Sequence, residues 1–288
     1  QIKKQFGTYL SPAMVEKLQK NPELLKLGGE TKYMTFLFCD IRGFTPISEQ
    51  YKTDPQGLTE LVNRFLTPMT NIIMENEGTI DKYMGDCIMA FWNAPLNDAD
   101  HAKNAVRTGL EMMGSLDEFN REVTAEGVPA FGMGLGINTD TVVVGNMGSD
   151  QRFDYTCLGD GVNLASRLES QSKPYGVKIV IGPKTNQYVE DEFATLELDC
   201  IAVKGKTEGV HVYTVLGTHA ELMQTSAYVV ETQQHEKMLE LYRLQKFDMA
   251  IKWCNDLKGS FLGAMDHYYE LWIERCEEMK KAGLPKDW

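Results

Sequence analysis

"TIDKYMGDCIMAFW", residues 79–92, is the part of the sequence on which the fold turns. β-rich residues on both sides of a Met84-Gly85-Asp86 step mark two short strands joined by a tight turn. This hairpin lies between two amphipathic helices. Upstream, "PQGLTELVNRFLTPMTNIIMENEG" (55–78) carries Leu58, Leu61, Val62, Phe65, Leu66, Met69, Ile72 and Ile73 at helical spacing, with Gly78 in the C-cap position. Pro68 inside it predicts a kink or a break. Downstream, "DADHAKNAVRTGLEMMGSLDEFNRE" (98–122) is the second helix. Beyond these helices lie a strand at "MTFLFCDI" (34–41) and another at "FGMGLGINTDTVVVGNMG" (131–148). In the latter, Phe131, Met133, Leu135 and Ile137 occupy one face, and Gly132, Gly134 and Gly136 the other, which predicts a close backbone neighbour there. The resulting order, β-α-β-β-α-β, predicts an α+β fold with a ferredoxin-like split βαβ core. A third helix at "GVNLASRLESQS" (161–172) and late strands at "KIVIG" and "GVHVYTVLG" add to it.

The ends of the chain read differently. Residues 1–33 hold a short helix around "SPAMVEKLQ" and a "LGGE" breaker, residues 34–217 the sheet-bearing domain, and residues 218–288 a helical extension. Within the extension, "LYRLQKFDMAIKWCNDL" resembles a fragment of a tetratricopeptide unit, too little for a solenoid, so a helical pair packed on the domain or on a partner is expected. At 288 residues, 43% hydrophobic and 24% charged, the composition is that of an ordinary globular protein. A net charge of −12 with no basic run argues against binding nucleic acid through phosphate contacts. The six cysteines show no C-x-x-C spacing and the five histidines no H-x-x-x-H, so neither zinc nor a disulfide framework is expected, and reduced thiols in the cytoplasm are. No stretch reaches the length of an apolar membrane span. The chain begins on Gln1, which suggests a piece of a longer protein.

Several polar residues stand out. Asp40 closes an apolar strand in "FLFCDIRGFT" (36–45), and Asp86 lies in the hairpin turn of strands expected to be its neighbours. Two converging carboxylates beside a glycine-bearing turn describe a Mg²⁺ site with positions left for substrate phosphates. A helix N-cap at Asp40 and a turn acid at Asp86 account for the same spacing. Asn163 and Arg167, four apart on one helix face, suit a phosphoryl clamp or a solvated surface. Lys82 on the hairpin and Lys204 in a glycine turn point at a ligand or at water.

Together, "FLFCDIRGFTPISE", "DKYMGDCIMAFW", "FDYTCLGDGVNLASRLES" and "VKG" resemble, in order and spacing over about residues 34–216, the catalytic domain of class III nucleotidyl cyclases. That resemblance implies roles. Asp40 and Asp86, with the Ile41 carbonyl, would hold two Mg²⁺ or Mn²⁺ ions. The backbone of Arg42, Gly43, Phe44 and Thr45 would cradle the β- and γ-phosphates. Lys82 matches the lysine that reads adenine, Lys204 the one that neutralises the triphosphate, and Asn163 and Arg167 the pair that orients ribose and stabilises the α-phosphoryl transition state. Thr156 stands where the commonest adenylyl pattern has an aspartate. Threonine there resembles the class IIIb adenylate cyclases, several of which respond to bicarbonate. A hydroxyl both donates and accepts, so Thr156 leaves the purine choice to Lys82.

The expected activity is conversion of ATP to 3′,5′-cyclic AMP and pyrophosphate, at sites shared across a homodimer. One protomer would supply Asp40 and Asp86, its partner Lys82, Thr156, Asn163, Arg167 and Lys204. A guanylate cyclase and a catalytically silent nucleotide-binding or dimerisation module are the rivals. A diguanylate cyclase would need a G-G-[D/E]-E-F turn that "YMGDC" lacks. The opening "QIKKQFGTYLSPAMVEKL" resembles the segment before the cyclase domain in membrane-anchored bacterial sensors, which predicts a membrane link only through a missing region.

Overall fold

A computed structural model describes residues 12–21, 29–149, 152–224 and 227–284. Leu27 and Gly28 of the "LGGE" breaker and most of the opening segment lie outside those residues, and Glu30 of the breaker already begins the first strand. The elements run α1 (Pro12–Lys20), β1 (Glu30–Arg42), α2 (Phe44–Gln50), α3 (Pro55–Glu75), β2 (Thr79–Met84), β3 (Cys87–Trp92), α4 (His101–Ala125), β4 (Gly132–Ser149), β5 (Arg152–Leu158), α5 (Asp160–Tyr175), β6 (Ile179–Ile181), α6 (Pro183–Val189), β7 (Phe193–Ile201) and β8 (Val210–Thr218). A short α7 (His219–Leu222) leads to α8 (Tyr228–Arg243), α9 (Phe247–Leu257) and α10 (Asp266–Ala282).

The sheet order is β2-β3-β1-β4-β6-β8-β7, with β5 paired to β4. Its first four strands have the split βαβ arrangement: β3 lies between β1 and β2 and is antiparallel to both, and β4 is antiparallel to β1. The α+β expectation therefore holds, with β5 to β8 as the added strands. Helices α3 and α4 cover one face. Leu61, Phe65, Met69 and Ile73 of α3 and Val106, Met112 and Leu116 of α4 are buried against Leu37, Ile88, Leu135 and Ile137 of the sheet. This apolar seam holds α3 together through Pro68, so of the kink or break expected there the break does not occur. Gly78 is not the left-handed residue after α3; Glu77 takes that conformation (φ 69°). A side chain at 78 would strike Ile73 and Trp92, with its Cβ 2.6 Å from Ile73 Cγ2, and this close approach calls for glycine.

On the opposite face α5 packs against β4 through the predicted glycines. A Cβ at Gly136 would lie 2.3 Å from both the Ala165 carbonyl oxygen and the Glu169 nitrogen, so helix backbone rests directly on strand. Buried Asn138 donates to the Gly161 carbonyl at 2.9 Å and ties down the start of α5. The C-terminal helices do not stand apart. Met238, Leu239, Tyr242, Cys254, Tyr268 and Trp272 share a core with Leu164, Leu168 and Tyr175 of α5 and Leu196, Leu198 and Val212 of β7 and β8. No helix among the described residues is long and apolar enough to cross a membrane.

Candidate active site

Strand β1 does not end on Asp40. Its pairing with β4 continues to Arg42, opposite Gly132, so Asp40 is an in-strand residue, flanked by Cys87 of β3 and Gly134 of β4. The N-cap of α2 is Gly43 (φ 73°), with no side-chain cap, which removes the capping explanation of Asp40. Asp86 immediately precedes Cys87, in the two-residue turn where Gly85 has φ 65°. The ladder thus brings the two acids together. Burial, and next the negative field of Asp86, push the Asp40 carboxyl above its usual range.

Asp40 Oδ1 is buried and has no hydrogen-bond partner among the described residues. A desolvated carboxylate oxygen beside a second acid is an arrangement that a cation relieves. The hard oxygen donors of Asp40 and Asp86, with the adjacent Ile41 carbonyl, fit Mg²⁺ or Mn²⁺, ions bound through one or two carboxylates plus substrate phosphates. Among the described residues no group of three or more His, Cys, Asp or Glu side chains has metal-holding geometry. A largely apolar cleft of about 320 Å³, lined by Phe44, Leu58, Val62, Gly85 and Asp86 among others, opens beside the turn.

Glu169 of α5, missed in the sequence, belongs to this cluster. Burial first and Asp40 second push its carboxyl up to about 7, partly offset by Arg42. The Arg42 guanidinium turns inward, donating to Ser172 and to the Val177 carbonyl (2.9 Å). That side chain is anchored within the fold, so at Arg42 only the backbone is left to face a ligand. Gly43 and Thr45 are exposed and Phe44 is half-buried.

A second cluster forms where β2 touches β5. Lys82 Nζ lies 3.6 Å from Oδ1 of Asp81, whose side chain is fully buried. Thr156 Oγ1 donates to Asp81 Oδ2 at 2.5 Å. Burial pushes the Asp81 carboxyl up, against the Thr156 hydroxyl, the Lys82 ammonium and the Cys157 backbone N–H, which all favour its ionised form. Lys82 and Thr156 are therefore neighbours through a residue that sequence analysis did not single out. A register shift between Ile80 and Lys82 marks Asp81 as a bulge, which strand alternation cannot reveal.

Asn163 and Arg167 are both exposed on α5 and have no side-chain hydrogen bond or ion pair among the described residues. Lys204 is exposed in the β7–β8 turn, on the strand pair at the sheet end opposite β2. One chain thus unites Asp40 with Asp86, and Lys82 with Thr156, and leaves Lys204 apart from both clusters.

Residues 29–217 match the family described as the adenylate and guanylate cyclase catalytic domain, which is more than half of the chain. The chain belongs to that family. This class III cyclase domain is 33% identical over 225 residues to adenylate cyclase 1 of Rhizobium meliloti, covering 77% of the chain and 33% of that protein. It is 34% identical over 221 residues to an adenylate cyclase of Anabaena cylindrica, covering 74% of the chain and 41% of that protein. The chain therefore spans a third to two fifths of the length of these curated relatives. Among solved structures, the adenylyl cyclase CyaB from P. aeruginosa superposes with a TM-score of 0.61 at 38% identity, covering 66% of the chain and 96% of that one. The guanylyl cyclase Cya2 superposes almost as well, with a TM-score of 0.59 at 36% identity over 67% of the chain and 95% of its own. Likeness of fold alone therefore does not choose the purine.

Proposed function

We propose that this cyclase domain converts ATP to 3′,5′-cyclic AMP and pyrophosphate at sites shared between two copies of the chain. The observation that carries the reading is the convergence of Asp40 and Asp86 around an unpartnered buried oxygen. Two divalent ions held there by Asp40, Asp86 and the Ile41 carbonyl would favour ionisation of the ribose 3′-hydroxyl and neutralise the departing pyrophosphate. The chain's own residues do the rest by positioning and charge, as phosphoryl transfer requires. As O3′ bonds to the α-phosphorus, the bond from that phosphorus to the bridging oxygen breaks in line. Backbone N–H groups between Arg42 and Thr45 receive the β- and γ-phosphates, and Lys204 adds positive charge to them. Asn163 orients the ribose, and Arg167 meets the charge that grows on the α-phosphoryl oxygens. Lys82 and Thr156 meet the purine edge.

Within one chain Lys204 is remote from the acidic pair, and Asn163 and Arg167 face solvent, which supports a two-fold arrangement in which the partner completes each site. Adenine is preferred because Lys82 supplies a cationic donor where a guanine reader has a carboxylate, and because the curated relatives described above carry adenylate cyclase names. Six free thiols fit a catalytic domain working in the cytoplasm. We read residues 34–217 as the catalytic unit and 218–288 as a helical addition to it. The deciding assay offers ATP and GTP separately, each with Mg²⁺ and with Mn²⁺, and identifies the product by chromatography. Cyclic AMP as the main product is expected. Cyclic GMP alone would replace the reading with a guanylate cyclase, and no cyclic nucleotide with either metal would leave a silent nucleotide-binding module.

A further inference from the structure

The pairing of Thr156 with Asp81 bears on how the base is chosen. A threonine hydroxyl has one proton and two lone pairs, so alone it welcomes either an amino or an oxo group. Here the proton is already taken. Thr156 Oγ1 donates it to Asp81 Oδ2, and an ionised carboxylate offers nothing in return but acceptors. Nor is the contact incidental. Asp81 is the bulge residue of β2, one of the devices by which a strand re-aims a side chain beside a functional site. Without the register shift, alternation would place Asp81 differently relative to Ile80 and Lys82. With it, the carboxylate sits buried between the Lys82 ammonium and the Thr156 hydroxyl.

We propose that Asp81 is a specificity-positioning residue: by holding the Thr156 proton it leaves that oxygen as an acceptor only, tuned to the 6-amino group of adenine. This rests on the reading above that Lys82 and Thr156 meet the base. Adenine offers a lone pair at N1 and a donor at position 6, and guanine a donor at N1 and an acceptor at position 6. Lys82 opposite N1 and an acceptor-only Thr156 opposite position 6 match the first pattern at both points and the second at neither. The bulged acid thereby supplies the polarity that a threonine alone lacks, and selection against an oxo group comes from an unmet hydrogen bond.

Two triphosphates of nearly equal bulk test this on the unaltered protein. N6-methyladenosine triphosphate keeps the N1 lone pair and a donor at position 6, whereas 6-methoxypurine riboside triphosphate keeps the N1 lone pair and presents only an acceptor there. Competition against ATP should favour the first by about tenfold, the value of one hydrogen bond made or missed. Equal competition would overturn the inference. In Asp81→Asn the amide can donate to Thr156 as well as accept, so the preference should shrink and the ATP-to-GTP ratio of kcat/KM should fall about tenfold. Thr156→Val should lower the ratio similarly, and adding Asp81→Asn to it should lower it no further. A merely structural Asp81 would depress both nucleotides alike and leave the ratio unchanged. If Asp81→Asn does not fold, the analogue competition decides alone. Failure of the unaltered protein to make cyclic AMP would remove the cyclase reading itself, whereas cyclic AMP formed with equal analogue competition removes only the role of Asp81.

Discussion

Asp40 stands directly opposite Cys87 across the β1–β3 ladder, which sets it beside Asp86, the residue before Cys87 in the hairpin turn. Register, not sequence proximity, makes the acidic pair, and a slip of one residue would turn Asp40 to the other face of the sheet.

Replacing Asp40 with asparagine should separate stability from activity. It removes a carboxyl pushed up by burial and by Asp86, so without metal the variant should melt at a higher temperature than the unaltered protein. Mn²⁺ should raise the melting temperature of the unaltered protein and leave Asp40→Asn nearly unmoved, while kcat falls about 100-fold or more. Equal Mn²⁺ shifts in calorimetry would rule out Asp40 as a ligand.

A site completed by two chains predicts complementation. Asp40→Ala and Arg167→Ala should each be nearly inactive alone. Mixed in equal amounts, they should regain roughly a quarter of the unaltered activity, since half of the dimers are hybrid and each hybrid keeps one intact site. An inactive mixture that size measurements show to be dimeric would exclude the shared site.

Gly136→Ala tests the contact that seats α5. Its methyl group would overlap the Ala165 carbonyl and the Glu169 nitrogen, so the helix must shift. A loss of about 1–3 kcal/mol is expected in urea unfolding. Because Asn163 and Arg167 ride on the same helix, kcat should fall more than KM rises. Unchanged stability and kcat would mean that the helix does not bear on this strand.

His235 predicts a stability loss in acid. It is fully buried, its Nε2 lies 2.6 Å from the Glu197 carbonyl and donates to it, and its Nδ1 accepts from the Tyr269 hydroxyl at 2.8 Å. Burial holds its folded pKa at about 4, below the ordinary value of 6.5. A depressed histidine stabilises the fold fully above the unfolded pKa, and the contribution is lost as pH falls from 6.5 towards 4. Between pH 7 and 5 the loss should be about 2 kcal/mol, with His101, also held low by burial, adding in the same direction. His235→Gln should show a shallower decline in unfolding free energy over that range, and a parallel decline would assign the acid sensitivity elsewhere.

Much of the fold was legible because each helix has a wet and a dry side. The periodic apolar residues of 55–78 and the glycine face of 131–148 carry the split βαβ order in the sequence itself. Strands β5 and β7 and helix α6 were not separated out; β5 and α6 are seven residues each, too short for a period to declare itself. The acidic pair was legible from a turn acid and a strand acid, although the strand runs two residues past Asp40. Asp81 and Glu169 were not. The first depends on a bulge, and the second lies two residues past Arg167 on a helix whose rotation only packing against Gly136 fixes.

The floor beneath α5 is built partly from the chain's last seventy residues. Tyr175 at its end donates to Asp199 at 2.7 Å, Arg275 pairs with the same carboxylate at 2.8 Å and stacks 4.1 Å over Trp272, and Tyr268 bonds the Leu198 carbonyl. A fragment trimmed at residue 217, where the family match stops, would present Leu196, Leu198, Val212 and Tyr175 to water as a greasy slab. Expression of this cyclase domain therefore calls for the chain at least through Ala282, and precipitate is expected from the shorter cut.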